Sequence, residues 1–294
     1  MSAAEPTKAA EERPPHSQLP GFAENLILVV GIGRSGTTAL HKALGHHPAI
    51  IDAPSEAPLE RAIAAGHGRM ITRPDKFTTY VKKQTKVPWD HVRRTYRQLI
   101  FEAAFGAPVG RPLLDRRAAH RNDLDSAHRW AAKVGGISNK GLLGFGDLFA
   151  DFRTIYIHRS GIDTVASRTK FHGFSSNSFR ANCETWALTV KDMRTCENNS
   201  DTTVVRHADL LSRPEEMFET VFAGLGLPSD PAPAAHCRSS VTHPTQAIDE
   251  STSVEAQFNA RDAAYEQWTD EEQQIFIEVC GPAMATLGYA VPFA

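Results

Sequence analysis

The sequence predicts an α/β fold of three layers, a central parallel sheet between helices, with a helical cap or insertion laid over it. Three observations carry this expectation. The unbroken apolar run Leu26-Ile-Leu-Val-Val30 leads into a glycine-rich turn, Gly31 to Gly36, and then into the helical pattern Ala39–Leu44. That order of strand, glycine turn and helix opens parallel sheets. A second strand pattern, Arg153-Thr-Ile-Tyr-Ile-His158, runs in the same way into a helix over 164–169. Further strand and helix patterns then alternate to the end of the chain, as a parallel sheet requires.

Residues 1–22 are polar and interrupted by Pro6, Pro14, Pro15 and Pro20, which predicts a disordered lead-in with no signal-peptide pattern. A single domain is expected over 23–294. Its first strand spans about 25–31, and the helix after the glycine turn stops near His46-His-Pro48. Ile50-Ile51 reads as a second short strand leading to Pro54-Ser-Glu56. From 58 to 133 the pattern reads as mainly helical and irregular, with the cap over about 61–130. The aromatic residues Phe77, Tyr80, Trp89, Tyr96 and Phe101 there suit helix packing or the wall of an apolar acceptor pocket. Lys140 precedes a helix over 142–150, and Asp201-Thr-Thr-Val-Val205 is a further strand. Pro214–Leu225 is a helix closed by Gly226, whose missing Cβ suits a left-handed C-cap. A last helix over 270–287 follows Thr269, with Asp270, Glu271 and Glu272 in its first turn. Weak periodicity over 228–260 predicts loop.

The overall charge of −2 excludes a nucleic-acid binder working by bulk electrostatics, although a few arginines in one cleft can still form an anion pocket. The four cysteines are widely spaced and form no CxxC, so no metal site is expected and reduced thiols in a cytoplasmic protein are. The longest apolar run is far too short to cross a bilayer, so no membrane insertion is expected.

Gly31-x-x-x-x-Gly36-Thr37-Thr38 has the spacing of a phosphate-binding loop, which makes the expected fold P-loop-like. Small residues let successive backbone N–H groups converge on an anion in front of a helix N-terminus. Thr37 stands where an ATP-binding loop carries the lysine that reaches the β- and γ-phosphates. The cation instead precedes the second glycine, as Arg34. The loop is therefore equipped to grip a phosphate, and poorly equipped to move a γ-phosphate on magnesium.

Gly33-Arg-Ser-Gly-Thr-Thr-Ala-Leu40, with His47-Pro48 after it, resembles the 5′-phosphosulfate loop of sulfotransferases that use 3′-phosphoadenosine 5′-phosphosulfate, especially the tyrosylprotein and carbohydrate branch. The resemblance implies that Arg34, Ser35, Gly36, Thr37 and Thr38 hold the 5′ end of the donor, with Arg34 neutralising charge at the bridging oxygen. It covers about 25–60 and 135–290. Arg159, Asp163 and Ser167 match the family's 3′-phosphate segment; a guanidinium fork and a compact hydroxyl suit one anion, whereas Asp163 orients or caps. Lys140-Gly141, Trp186, Val204–Leu211 and Gly281–Tyr289 resemble further family segments. The Arg-Lys-Gly loop that closes over the 3′-phosphate in cytosolic sulfotransferases has no counterpart here; Arg238-Ser-Ser240 or Arg261 are the candidate substitutes.

The expected reaction is in-line and metal-independent, leaving adenosine 3′,5′-bisphosphate. Its acceptor is a hydroxyl of a small molecule, sugar or lipid. A general base must lie within about 3 Å of that hydroxyl. Glu56 is the first candidate, because the tyrosylprotein branch has its glutamate at nearly this interval after the loop. Glu60, one helical turn on, and His172 are alternatives. Two other functions share the phosphate loop: an ATP-dependent small-molecule kinase and a non-catalytic adenosine-bisphosphate-binding protein.

Overall fold

The structure, a computed structural model, describes residues 21–56, 58–72, 88–105, 127–197, 199–241 and 264–292. Five strands pair in parallel among these residues: β1 (Asn25–Gly31), β2 (Ile50–Glu56), β3 (Arg129–Gly135), β4 (Asp151–His158) and β5 (Thr202–Arg206), in the order β2-β3-β1-β4-β5. β1 lies at the centre, which accounts for its continuous apolar sequence: both faces are covered. Its side chains divide with the strand period of two. Leu26, Leu28 and Val30 join one core, while Ile27 and Val29 join the core on the opposite face.

The helices are α1 (Thr37–Leu44), α2 (Pro58–Ile71), α3 (Trp89–Phe105), α4 (Asn139–Leu148), α5 (Gly161–Lys170) and α6 (Phe179–Cys196). They continue with α7 (His207–Ser212), α8 (Pro214–Leu225), α9 (Ala232–Val241) and α10 (Asp270–Thr286). Residues of α1, α8 and α9 pack in the core of Ile27 and Val29. Residues of α3, α4, α6 and α10 pack in the other core, around Trp130. Trp130 is fully buried, meets Phe101 edge-on with centroids 5.5 Å apart, and donates its indole N–H to the Ala23 carbonyl at 3.2 Å. A buried indole needs such a partner. Phe101 is thus a core residue, and Trp89 and Tyr96 flank the buried His67 ring at 5.5 and 5.4 Å. Phe77 and Tyr80 lie outside the described residues.

The local signals at helix ends are realised. Thr269 and Glu272 form a reciprocal capping box at the start of α10, and Gly226 closes α8 at φ 66°. Two expectations are corrected. The stretch 58–133 is not helical to its end, since Arg129–Gly135 is the strand beside β1. The stretch 228–260 is not loop throughout, since Ala232–Val241 is a helix packed against α1 and α8. In both, tertiary contacts override a weak local pattern. Of the lead-in expected over 1–22, residues 1–20 lie outside the described residues, whereas Gly21 and Phe22 open a 3-10 turn and Phe22 is buried in the core. No described helix is long and apolar enough to cross a membrane.

Candidate active site

The site begins where β1 stops. After Gly31 the chain turns, Ser35 N donates to the Ile32 carbonyl at 3.0 Å, and α1 starts at Thr37. Two residues of the turn have left-handed backbone, Arg34 at φ 80° and Gly36 at φ 97°. Gly36 is required twice over, because a Cβ there would also collide with the His207 imidazole. As the N-cap residue it offers α1 no side-chain cap, so the first amides of the helix remain available to an anion. Ser35 is fully buried and its Oγ has no hydrogen-bond partner among the described residues. A buried hydroxyl in that state calls for a ligand oxygen or water.

Arg34 accepts a backbone conformation that costs a non-glycine residue about 1–2 kcal/mol. Its side chain shows what the conformation achieves. Nε donates to Ser167 Oγ at 3.1 Å, and the guanidinium lies over the Phe171 ring at 4.6 Å. Residues 133 positions apart are thereby joined across one site.

The second segment follows β4, the neighbour of β1. Trp186 Nε1 donates to the Arg159 carbonyl at 3.2 Å, and Gly161 N–H meets Met284 Sδ at 3.1 Å, so the turn is fixed from α6 and α10. Asp163 Oδ2 stands 3.5 Å from Arg159 Nε, the orienting contact expected of a carboxylate one helical turn away. Arg159 thus precedes α5 and Ser167 lies in its second half, where Arg34 reaches it.

A candidate site residue that sequence reasoning missed is Lys133. On β3 it is paired with Val29 of β1 and is largely buried, and its Nζ donates to Thr38 Oγ1 at 2.8 Å. The family resemblance pointed to Lys140, seven residues later and exposed at the start of α4. The available signal was a lysine inside an apolar run ending in Gly135-Gly136, concealed while that run was read as helix. Strand register also places Glu56, the last residue of β2, opposite Lys133. The backbone thus brings Glu56, Lys133 and Thr38 to one end of the sheet.

Other candidates fall elsewhere. Arg238 pairs with Glu215 at 2.7 Å on the exposed α8–α9 surface, so it does not close over the 3′-phosphate segment; Arg261 lies outside the described residues. His47 is structural, with Nε2 3.0 Å from the Pro228 carbonyl and Nδ1 accepting from Ala49 N. His172 is exposed on the loop after α5, its ring against Phe171. His158, next to Arg159, is held neutral: burial, reinforced by Arg206, brings its pKa down to about 4, and Nδ1 is 2.9 Å from Tyr289 Oη. Among the described residues no group of three or more His, Cys, Asp or Glu is placed to hold a metal ion.

The unpartnered Ser35 hydroxyl, the uncapped α1 amides and the Arg34–Ser167 bridge fit a ligand with two separated anionic groups, as 3′-phosphoadenosine 5′-phosphosulfate has. Comparison with curated protein sequences gave no match. Among solved structures, the sulfotransferase domain of the Synechococcus PCC 7002 olefin synthase aligns at TM-score 0.53 and 16% identity, over 91% of this chain and 96% of that one. At that identity the likeness establishes the fold. A sulfotransferase domain from the curacin biosynthetic pathway aligns at TM-score 0.48 and 16% identity (94% and 100% covered). A sulfotransferase from Alicyclobacillus acidocaldarius gives 0.45 and 14% (90% and 96%). The sulfotransferase family model matches residues 27–231, a span that contains the glycine loop, Lys133, Arg159 and Ser167. The ATP-dependent kinase reading is thereby set aside: the chain belongs to the sulfotransferase family, enzymes that draw a sulfuryl group from 3′-phosphoadenosine 5′-phosphosulfate.

Proposed function

We propose that this enzyme transfers the sulfuryl group to a hydroxyl of a small molecule, sugar or lipid, and that its site is of the tyrosylprotein and carbohydrate type. The observation that carries the reading is the Arg34–Ser167 hydrogen bond, which joins the loop at Gly31–Thr38 to the segment at Arg159–Ser167. Arg34, Ser35, Gly36, Thr37 and Thr38 hold the 5′ end of the donor, and Arg159 and Ser167 hold the 3′-phosphate. The donor supplies a sulfuryl group on a phosphate that is a good leaving group. Glu56 takes the proton of the acceptor hydroxyl as its oxygen attacks. Lys133, fixed by Thr38, and Arg34 meet the negative charge left on the 5′-phosphate. Glu56 is favoured as base because its backbone lies in register opposite Lys133, whose Nζ meets Thr38 of the loop.

The four buried free cysteines suit a reducing compartment, and a cytoplasmic setting with a small hydroxylated acceptor follows from that reading. The test is mass spectrometry of a metabolite extract incubated with enzyme and 3′-phosphoadenosine 5′-phosphosulfate. Hydroxylated products heavier by one SO3, formed by the wild type and lost in Glu56→Gln, are expected. Sulfated products formed equally well by Glu56→Gln would remove Glu56 from the role of base.

A further inference from the structure

Arg168, one residue beyond Ser167, carries a charge that has no anionic partner among the described residues. Only 4% of the residue is exposed. Its Nε donates to Asn182 Oδ1 at 3.0 Å, and its guanidinium is stacked 4.0 Å from the centre of the Phe174 ring. No carboxylate among the described residues forms an ion pair with it, whereas Arg93, Arg129, Arg153 and Arg180 each have one. Burial lowers its pKa, the mark of a desolvated cation.

Asn182 adds to the imbalance. It is fully buried, and because Arg168 can only donate, the amide must turn its oxygen toward Nε and its nitrogen away. That nitrogen has no partner among the described residues. The cluster is therefore rich in donors, whereas buried charges are ordinarily paired. What lies against it is the phosphate loop: a Cβ on Gly33 would stand 2.7 Å from Phe174 Cζ and 3.4 Å from Arg168 Nη1. Phe174 covers the guanidinium from the loop after α5, so it is neither a surface charge nor a paired one.

We infer that Arg168 is a positioning residue for the donor, a buried cation beneath the glycine loop whose counter-charge is the phosphate that the loop grips. It acts through the Gly33 backbone rather than by touching the donor. It also keeps Phe174 pressed on the loop, so that one side chain both shapes the loop and sets its potential. The inference rests on the reading of Gly33–Thr38 as the donor's phosphate loop. It extends that reading to a residue whose charge costs the nucleotide-free chain stability and strengthens donor binding.

The test combines calorimetric titration with adenosine 3′,5′-bisphosphate and thermal unfolding without nucleotide, on the wild type, Arg168→Gln and Arg168→Lys. Arg168→Gln keeps a donor for Asn182 and loses the charge. It should bind roughly tenfold to a hundredfold more weakly while unfolding at the same or a higher temperature. Arg168→Lys, which keeps the charge and loses the planar stack, should bind within about threefold of the wild type. Wild-type affinity in Arg168→Gln overturns the inference. A nucleotide-free chain destabilised or unfolded by Arg168→Gln overturns it too, and so does a lysine variant as weak as the glutamine one; these would make Arg168 a packing strut. A wild-type chain with no affinity for the bisphosphate would instead remove the loop reading itself.

Discussion

Arg34 Nε donates to Ser167 Oγ at 3.1 Å, which ties the glycine loop after β1 to the helix after β4. If the two segments bind one donor as proposed, substitutions at the two residues should not add. Each of Arg34→Ala and Ser167→Ala is expected to weaken adenosine 3′,5′-bisphosphate by roughly 10–150-fold, the range of a lost charged hydrogen bond. The double variant should bind more tightly than the product of the two losses implies, as calorimetry on all four proteins would show.

Arg159→Ala should weaken the bisphosphate by about 10–150-fold, again from the loss of charge-assisted bonds. Asp163→Asn should cost only a few-fold, because the carboxylate orients the guanidinium from 3.5 Å and carries the wrong charge for a phosphate. Titration with adenosine 5′-phosphate separates the roles: a ligand without the 3′-phosphate should bind wild type and Arg159→Ala alike.

Lys133→Met removes the charge that Thr38 holds at 2.8 Å. Turnover should fall roughly 10²–10³-fold, the usual loss when a group aimed at developing charge is deleted. Glu56→Gln should lower turnover about 10²–10⁴-fold and leave bisphosphate affinity nearly intact. Single-turnover rates beside equilibrium titrations distinguish both from binding defects.

His158 links stability to pH. Its folded pKa of about 4 lies below the ordinary 6.5, so between these values the unfolded chain binds the extra proton. Stability is therefore complete above pH 6.5 and declines as the pH falls toward 4, by at most ~1.4 kcal/mol per pH unit from this group. Denaturant unfolding across that window should show the slope in the wild type and a shallower one in His158→Gln.

Much of the fold and part of the site are legible in the residues. Gly36 marks a left-handed turn, Thr269 with Glu272 marks a helix start, and the loop and Arg159–Ser167 segments carry their chemistry locally. β3 was concealed because Arg129 and Lys133 interrupt its apolar pattern; both are buried in the fold, Arg129 against Asp151 and Lys133 on Thr38. Lys140 was preferred because its place before the β4 segment resembles the family, and nothing local reveals which lysine faces the loop.

The chain by itself determined β1, β4, β5, α8, α10 and the glycine turn, because each depends on neighbours a few residues away. Only the tertiary structure decided that Lys133 stands beside Thr38, that Glu56 lies in register with it, and that Arg34 bridges to Ser167. Those relationships arise from the order β2-β3-β1-β4-β5, which brings distant strand ends together at one end of the sheet. Parallel pairing depends on contacts remote in sequence, so no short window of residues contains that information.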